Sequence, residues 1–456
     1  MNIQGTVIDY SLRLAEHFRE AEPVFSRLSS GLLNQGRKKA LAEFVRQGIP
    51  GRKNENYKYT NLQPSFAHDF DWIHRRDGAD FRLTDAFKCD VPQMDTHLMV
   101  LLNGWYHSFQ PKSGSQSGGW LNGSLEQVSR EHPELLQKYY GKLADGGEDP
   151  MTALNTMFAT DGFVVHIPAG IKLEHPLQVI NILQAPASSF VTQRNLVVVE
   201  PGAEVKLIIC DHTLNLNHYV SNSVTEVFIG EGASADFYTI QNQHNNTTSV
   251  HSAYFHLGRD SRLTTQTITL HGGLVRNNLN VILDGENGEA NLYGMAFMDK
   301  RQHVDNFIRV EHNKPNCRSN QHFKNVLDDE SSGAFSGRIH VQRDAQKTNA
   351  YQRNNNLLLT DKALMQTKPQ LIIEADDVKC SHGATIGQID EEALFYLRTR
   401  GIPEKQARLT LMNAFSYEVV RQITVNPLRD RISELVDKRL RGDVGRCHDC
   451  AYHCEC

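Results

Sequence analysis

Two places in the chain put soft metal ligands close together. In the stretch from Leu371 to Arg400, LIIEADDVKCSHGATIGQIDEEALFYLRTR, Cys380 and His382 stand two residues apart. If Val378 to His382 is extended, strand alternation puts both side chains on one face of a sheet and Ser381 on the other. A thiolate beside an imidazole suits iron, zinc or an iron–sulfur cluster. Tetrahedral sites of that kind take about four ligands, so the pair is half a site and a second surface must supply the rest. Taken singly, each residue has a plainer reading: a strand Cys is usually a small buried hydrophobe, and a His beside Gly a polar turn residue.

The second place is the C-terminal tail, CHDCAYHCEC, which follows RGDVGR. Cys447 and Cys450 have the CxxC spacing that chelates one metal, and Cys454, Cys456, His448 or His453 can complete four ligands. Zinc, iron and transient iron–sulfur binding all fit, and a loose tail with incidental thiols is the bland alternative. The other Cys residues, Cys89, Cys210, Cys317 and Cys380, are scattered, which argues against a secreted disulfide framework. Cys317, in KPNCRSNQ, reads as packing.

Composition narrows the classes further. The 456 residues carry a formal net charge of −5 with basic residues dispersed, so no phosphate-tracking surface is expected and nucleic acid is an unsuitable partner. No segment approaches the ~18 apolar residues of a membrane helix, and the N-terminus lacks a basic region followed by an apolar run. The expected location is the cytoplasm. There is no GxxxxGK[ST] phosphate loop and no dinucleotide-type GxGxxG, so neither ATP nor NAD is expected to bind by those routes. GxSxG and HExxH are absent as well. The many His residues of the middle region alternate with Thr, Asn and aromatics, and read as solvent-facing structural residues.

The elements around these ligands divide the chain into four: residues 1–150 helical and mixed, 151–388 a β core, 389–441 helical, and 442–456 the Cys/His-rich tail. Leu12, Leu14, Ala15 and Phe18 form a broken helical stripe, and Lys38 to Gln47 carries Leu41, Phe44 and Val45 before Gly48, Pro50 and Gly51 stop the helix. A strand is predicted at Thr96 to Asn103, a polar loop at Ser113 to Gly123 and a helix from Ser124 to Leu143. From Gly162 the texture becomes short Val/Ile/Thr-rich runs broken by turns. Turn glycines Gly170, Gly202, Gly232, Gly258 and Gly285 fall 32, 30, 26 and 27 residues apart, a loose repeat that predicts a β-solenoid rather than a sandwich. Near the candidate site, Leu371 to Ile373 reads as a short buried strand, Asp376 and Asp377 as a turn, Val378 to Ser381 as a strand entering a Gly383 turn, and Asp390 as a helix N-cap. Ala393, Leu394 and Leu397 then give one apolar face; Pro403 opens a second helix with the stripe Ala407, Leu411, Ala414, Phe415 and Val419; Pro427 separates a third.

The wording of these segments resembles a known family. ADDVKCSHGAT followed by FYLRTRGI, together with HGGLVRNNLNVILDGEN, EHNKPNCRSNQHFKNVLDDESSGAFSGRIHVQRDAQKTNAYQRNNNLLL and TKPQL, resembles the SufB/SufD family of the SUF iron–sulfur cluster assembly system over roughly residues 150–425. GIPGRKNENYKYTNL, Gly48 to Leu62, resembles the N-terminal signature of its SufD branch, usually written with Trp where this chain has Tyr57. Gly383 after His382, in place of the Glu typical of the SufB branch, also resembles SufD. The resemblance implies a mainly β fold, a right-handed parallel β-helix core flanked by N- and C-terminal α-helical regions. It implies a non-catalytic scaffold in a SufBCD complex, a SufB-type paralogue joined along the β-helix, and a SufC-type ABC ATPase docked on the C-terminal helices and supplying the ATP hydrolysis. By the same resemblance, His382 matches a histidine facing a SufB cysteine where a transient iron–sulfur cluster or iron is held, and Cys380 matches a nearby thiol. The Cys-rich tail departs from the family pattern. Other readings are a SufB-like cluster scaffold acting on its own and a β-helix enzyme acting on polysaccharide, and a homodimer in place of the SufB–SufD pair is left open. The enzyme would need clustered carboxylates, for which Asp376 and Asp377 are the nearest candidates.

Overall fold

The computed structural model describes residues 10–72, 94–107 and 119–442. The predicted tail ligands Cys447, Cys450, Cys454 and Cys456, and most of the predicted polar loop, lie outside these residues. The middle of the chain winds into a β-solenoid whose turns each place one strand in each of two facing parallel sheets. The pairs run from Phe163–Ile167 and Leu177–Leu183, through Ser189–Val199 and Glu204–Thr213, Tyr219–Ile229 and Ser234–Asn242, Thr247–Leu257 and Arg262–His271, Leu274–Leu283 and Glu289–Met298, His303–His312 and Arg318–Leu327, Ser332–Val341 and Thr348–Leu358, to Leu364–Ile373 and Val378–Gly387.

A single turn cannot bury its own inner face, and stacking solves this. Val197, Val227 and Phe255 from one sheet meet Leu207, Phe237 and Leu263 from the other in one continuous core. One corner is held by a ladder of backbone bonds from turn to turn: Gly202 N–H to Glu231 O, Gly232 to Arg259 and Asp260 to Glu286, each 2.8 Å, then Asn316 to Gln346 at 2.9 Å. The donor residue has positive φ throughout, as Gly170, Gly202 and Gly232 and then as Asp260, Asn287, Asn316 and Lys347. Gly258 and Gly285 therefore serve a different purpose from the one the repeat predicts. They let backbone pass close to the preceding turn, since a Cβ on Gly285 would stand 2.0 Å from Arg259 N.

Two layers of helix cover the outer faces. The helices Tyr10–Leu28, Arg37–Gln47 and Pro150–Phe158 pack Leu14, Phe18, Phe44 and Met157 against the first sheet; Leu12, predicted for that stripe, is exposed. The predicted helix from Ser124 to Leu143 is instead two short ones, Leu125–Glu131 and Pro133–Tyr139, because Pro133 has no N–H to continue the first and fits only at the start of a new one. At the other end Glu391–Thr399, Glu404–Val420 and Asn426–Arg441 cover the second sheet. The middle helix buries Ala407, Leu409, Met412, Ser416, Val419 and Val420, and leaves Ala414 exposed. Its buried surface is wider than the predicted stripe because it faces both the sheet and the last helix. No described helix is long and apolar enough to cross a membrane.

Several of the middle-region His residues do not face solvent as predicted. His212, His312 and His322 are buried, and burial pushes His271, His312 and His322 down to about 4. His312 points inward between Leu283 and Val341 of the neighbouring strands, its Nε2 2.9 Å from Ser319 Oγ. Elsewhere in the solenoid the inward positions of successive strands are Asn, Gln and Thr. Asn277 Nδ2 donates to Asn306 Oδ1 at 3.0 Å, Gln352 Nε2 to Gln321 Oε1 at 2.7 Å and Asn325 Nδ2 to Asn356 Oδ1 at 2.7 Å.

Candidate cluster-assembly site at the open end of the solenoid

Cys380 and His382 both lie on the last strand, Val378–Gly387, opposite Ala350 and Gln352 of Thr348–Leu358. The strand continues through Gly383, which is not a turn; a Cβ there would meet nothing within 4 Å. Alternation therefore does put the two side chains on one face, about 6.7 Å apart along the strand. That face is the inward one: Cys380 packs against Ala350, Ala375 and Ile339 at the end of the core, and Gln352, opposite His382, is buried.

Among the described residues no turn stacks on this one, so its inward-facing side chains are open at the end of the solenoid. Leu371 to Ile373 closes the strand Leu364–Ile373 and is not buried as predicted: Ile372 and Ile373 are exposed, with Leu364 and Ile386, because no further turn among the described residues follows to cover them. His382 is exposed and makes no hydrogen bond or ion pair among the described residues. Cys380 is half-buried, and desolvation pushes its thiol up despite the Ala350 backbone hydrogen bond, so a metal or a partner's charge is needed to draw out the thiolate. The pair supplies two soft ligands on a rigid strand, and the described chain brings no third His, Cys, Asp or Glu to them. Cys317 is different in kind: fully buried, with Sγ 3.2 Å from Gly285 O and its thiol pushed up to about 11 by burial, it is a core residue.

Asp376 and Asp377 sit in the bend before this strand, where Gln346 Oε1 accepts from the Asp377 N–H at 2.9 Å. A hollow of about 850 Å³ elsewhere on the solenoid is bordered by Asp329 and Glu330 together with Lys300, Arg301 and Lys362. Lys362, 2.8 Å away, holds Glu330 below the usual carboxylate range, the opposite of what a general acid requires.

The Gly48 to Leu62 signature is built into the first sheet's cover. Tyr57 is buried and donates to Asp149 Oδ1 at 2.7 Å, with the Arg276 guanidinium 4.4 Å from its ring centre. Arg276 also donates to Asn56 O at 2.8 Å and pairs with Asp305, which accepts from Thr60 as well. Sequence reasoning missed this buried pair and its counterpart Arg194–Glu226, 2.8 Å apart. A lone charge inside a β run reads as an outward residue unless the covering segment is known.

At the C-terminal helices, Phe395 (69% exposed), Tyr396 and Tyr417 leave large rings in solvent. A groove of about 430 Å³ runs between Ala414, Tyr417 and Val420 on one helix and Val436 on the next. The same helices are tied to the solenoid by Lys324 Nζ to Glu418 at 2.7 Å, Gln266 Nε2 to Val419 O at 2.8 Å and Arg439 to Asp299 at 2.6 Å.

These features define a β-solenoid protein with helical flanks whose last described strand presents a thiol and an imidazole on one face. Comparison with known proteins gives its family. Residues 181–415 match the SufBD core domain of the SUF system for Fe–S cluster assembly, and residues 9–179 the SufBD protein N-terminal region. The chain is 31% identical over 402 residues to an iron–sulfur cluster assembly SufBD family protein of Synechocystis, covering 86% of this chain and 87% of that one. It is 30% identical over 407 residues to SufD of Escherichia coli, covering 88% and 92%, and 25% identical over 368 residues to SufD of Bacillus subtilis, covering 79% and 83%. The chain belongs to the SufBD family of iron–sulfur cluster assembly proteins, and its similarity is to SufD members.

Proposed function

We propose that this chain is a non-catalytic scaffold subunit of a SufBCD-type complex, pairing with a SufB-type paralogue at the open end of the solenoid and docking a SufC-type ABC ATPase on its C-terminal helices. The observation that carries this reading is the last turn: strand edges unpaired among the described residues, exposed Ile372, Ile373 and Ile386, and Cys380 with His382 on the same strand. Open edges with apolar residues are templates for another chain's strand, and two ligands require two more from such a partner. The iron and sulfide are cargo, held transiently between the chains. Phe395, Tyr396 and the groove beside Tyr417 suit the docking of a second protein, and the Lys324–Glu418 tie gives motion of the helices a route to the solenoid. ATP-driven association of two SufC-type subunits would then open the seam and admit iron and sulfur.

The test is co-expression with SufB- and SufC-type partners, anaerobic purification, and assay of bound iron and sulfide. His382→Ala is expected to leave the complex intact and cut cluster formation at least tenfold. Normal cluster formation in that variant would overturn the site. Recovery of the chain alone from its host, with no paralogue and no ATPase by mass spectrometry, would overturn the scaffold reading itself.

A further inference from the structure

Among the polar inward positions of the solenoid, hydrogen bonding does not close around Asp211. Asp211, only 2% exposed, follows Leu207 and Ile209 on the inward face of its strand. Its Oδ1 accepts from Asn181 Nδ2 at 2.7 Å, whereas its Oδ2 has no hydrogen-bond partner. Across from Oδ2, at 3.9 Å, is His251 Nε2, equally without a hydrogen bond. The other ring nitrogen of His251 is 3.0 Å from Ser223 Oγ. Asn181 Oδ1 and Thr265 Oγ1 are buried and unpaired too, and all four residues border one cavity of about 40 Å³.

This is an unfavourable way to bury a carboxylate. One neutral amide hydrogen bond does not replace its hydration, and a neutral imidazole does not neutralise it. Burial pushes His251 below its ordinary value despite the Asp211 charge. With Nδ1–H donating to Ser223, the imidazole presents a lone pair at Nε2. The cavity is then bordered by carboxylate, amide and imidazole lone pairs, and a cation satisfies them together.

We propose that Asp211 Oδ2, His251 Nε2 and Asn181 Oδ1 hold a small divalent transition-metal ion inside the solenoid, with water completing its shell. Two ligand atoms each about 2.1 Å from one ion stand about 3 to 4.2 Å apart as the angle opens from right to straight, and the observed 3.9 Å falls in that range. The hollow exceeds the roughly 10–15 Å³ that a single water-sized occupant needs. Mixed nitrogen and oxygen donors suit zinc, ferrous iron or cobalt, and the absence of sulfur separates the site from Cys380 and from the tail. Among the described residues no group of three His, Cys, Asp or Glu comes together; this site rests on one of each acid and imidazole with an amide beside them. It uses no partner, so its failure would leave the scaffold reading untouched.

The probe is Co²⁺, whose thiolate complexes show near-ultraviolet charge-transfer absorption that nitrogen and oxygen ligands do not give. The parent is the full chain with Cys380, Cys447, Cys450, Cys454 and Cys456 changed to Ser. It is expected to take up one equivalent of Co²⁺ without a thiolate band and to melt at higher temperature when loaded. Asp211→Asn and His251→Gln are each expected to weaken uptake at least tenfold and to abolish the rise in melting temperature. Asp211→Asn keeps the shape and removes the buried charge, so the metal-free variant should melt no lower than the parent; His251→Gln supplies the comparison if that variant misfolds. Unchanged binding in either folded variant, or no uptake by the parent, would overturn the proposal, the last result meaning that solvent alone fills the cavity.

Discussion

The two ends of the solenoid are made from the same kind of strand and treated in opposite ways. At the first turn, Phe163–Ile167 is covered by the antiparallel strand Leu121–Ser124, and Leu177–Leu183 by His97–Leu102, itself paired with Trp105–His107. Every residue of Leu177–Leu183 is buried. At the last turn, Val378–Gly387 pairs on one side only among the described residues, and every residue of the strand after Cys380 is exposed. Local propensity does not distinguish them, since both are β-rich runs with branched residues. The difference is the neighbour: among the described residues one end is sealed and the other is not, and an exposed edge of that kind is a template on which another strand can pair.

Breaking the closed end should have the largest effect. Val179→Asp would place an unpaired charge in the sealed core, and a loss of more than about 4 kcal/mol is expected in urea unfolding. Next comes the flank: Arg194→Ala strands Glu226, which also accepts from the N–H groups of Gly141 and Leu143, and should cost about 3–5 kcal/mol. Third is pH. His312 is held neutral inside the solenoid and titrates near 4 when folded against 6.5 when unfolded. Its folded value is depressed, so the unfolded chain binds the extra proton, and stability is full above about 6.5 and lost as pH falls towards 4. His312→Gln should flatten that part of a stability-against-pH curve, and an unchanged slope would show that His312 is not the group responsible. The open end should respond least in stability. Ile386→Asp is expected to shift unfolding by no more than about 0.5 kcal/mol while weakening paralogue binding at least tenfold. A large destabilisation there would erase the contrast between the ends.

Much of this organisation was legible in the chain itself. The loose repeat of turn glycines marked a solenoid, because each stacked turn needs a left-handed corner, although Asp260 and Asn287 take that role where Gly258 and Gly285 provide close approach instead. Asp390 capped its helix as read, its Oδ1 accepting from the Glu392 and Ala393 N–H groups. The spacing of Cys380 and His382 fixed that they share a face, since the period of a strand is two.

Which face, and what covers it, was decided only by the fold. A one-dimensional pattern cannot say whether an alternating His or Asn points to solvent or into a solenoid, and so His312 looked like a surface residue until the second sheet closed over it. Nor can it say that Leu371 to Ile373, apolar and β-branched, ends a strand with no turn beyond it. Sequence determined the repeat, the caps and the shared face of Cys380 and His382 through local backbone chemistry. Tertiary structure decided burial, the partners of Arg194 and Arg276, and the open end, because each depends on segments far apart in the chain meeting or failing to meet.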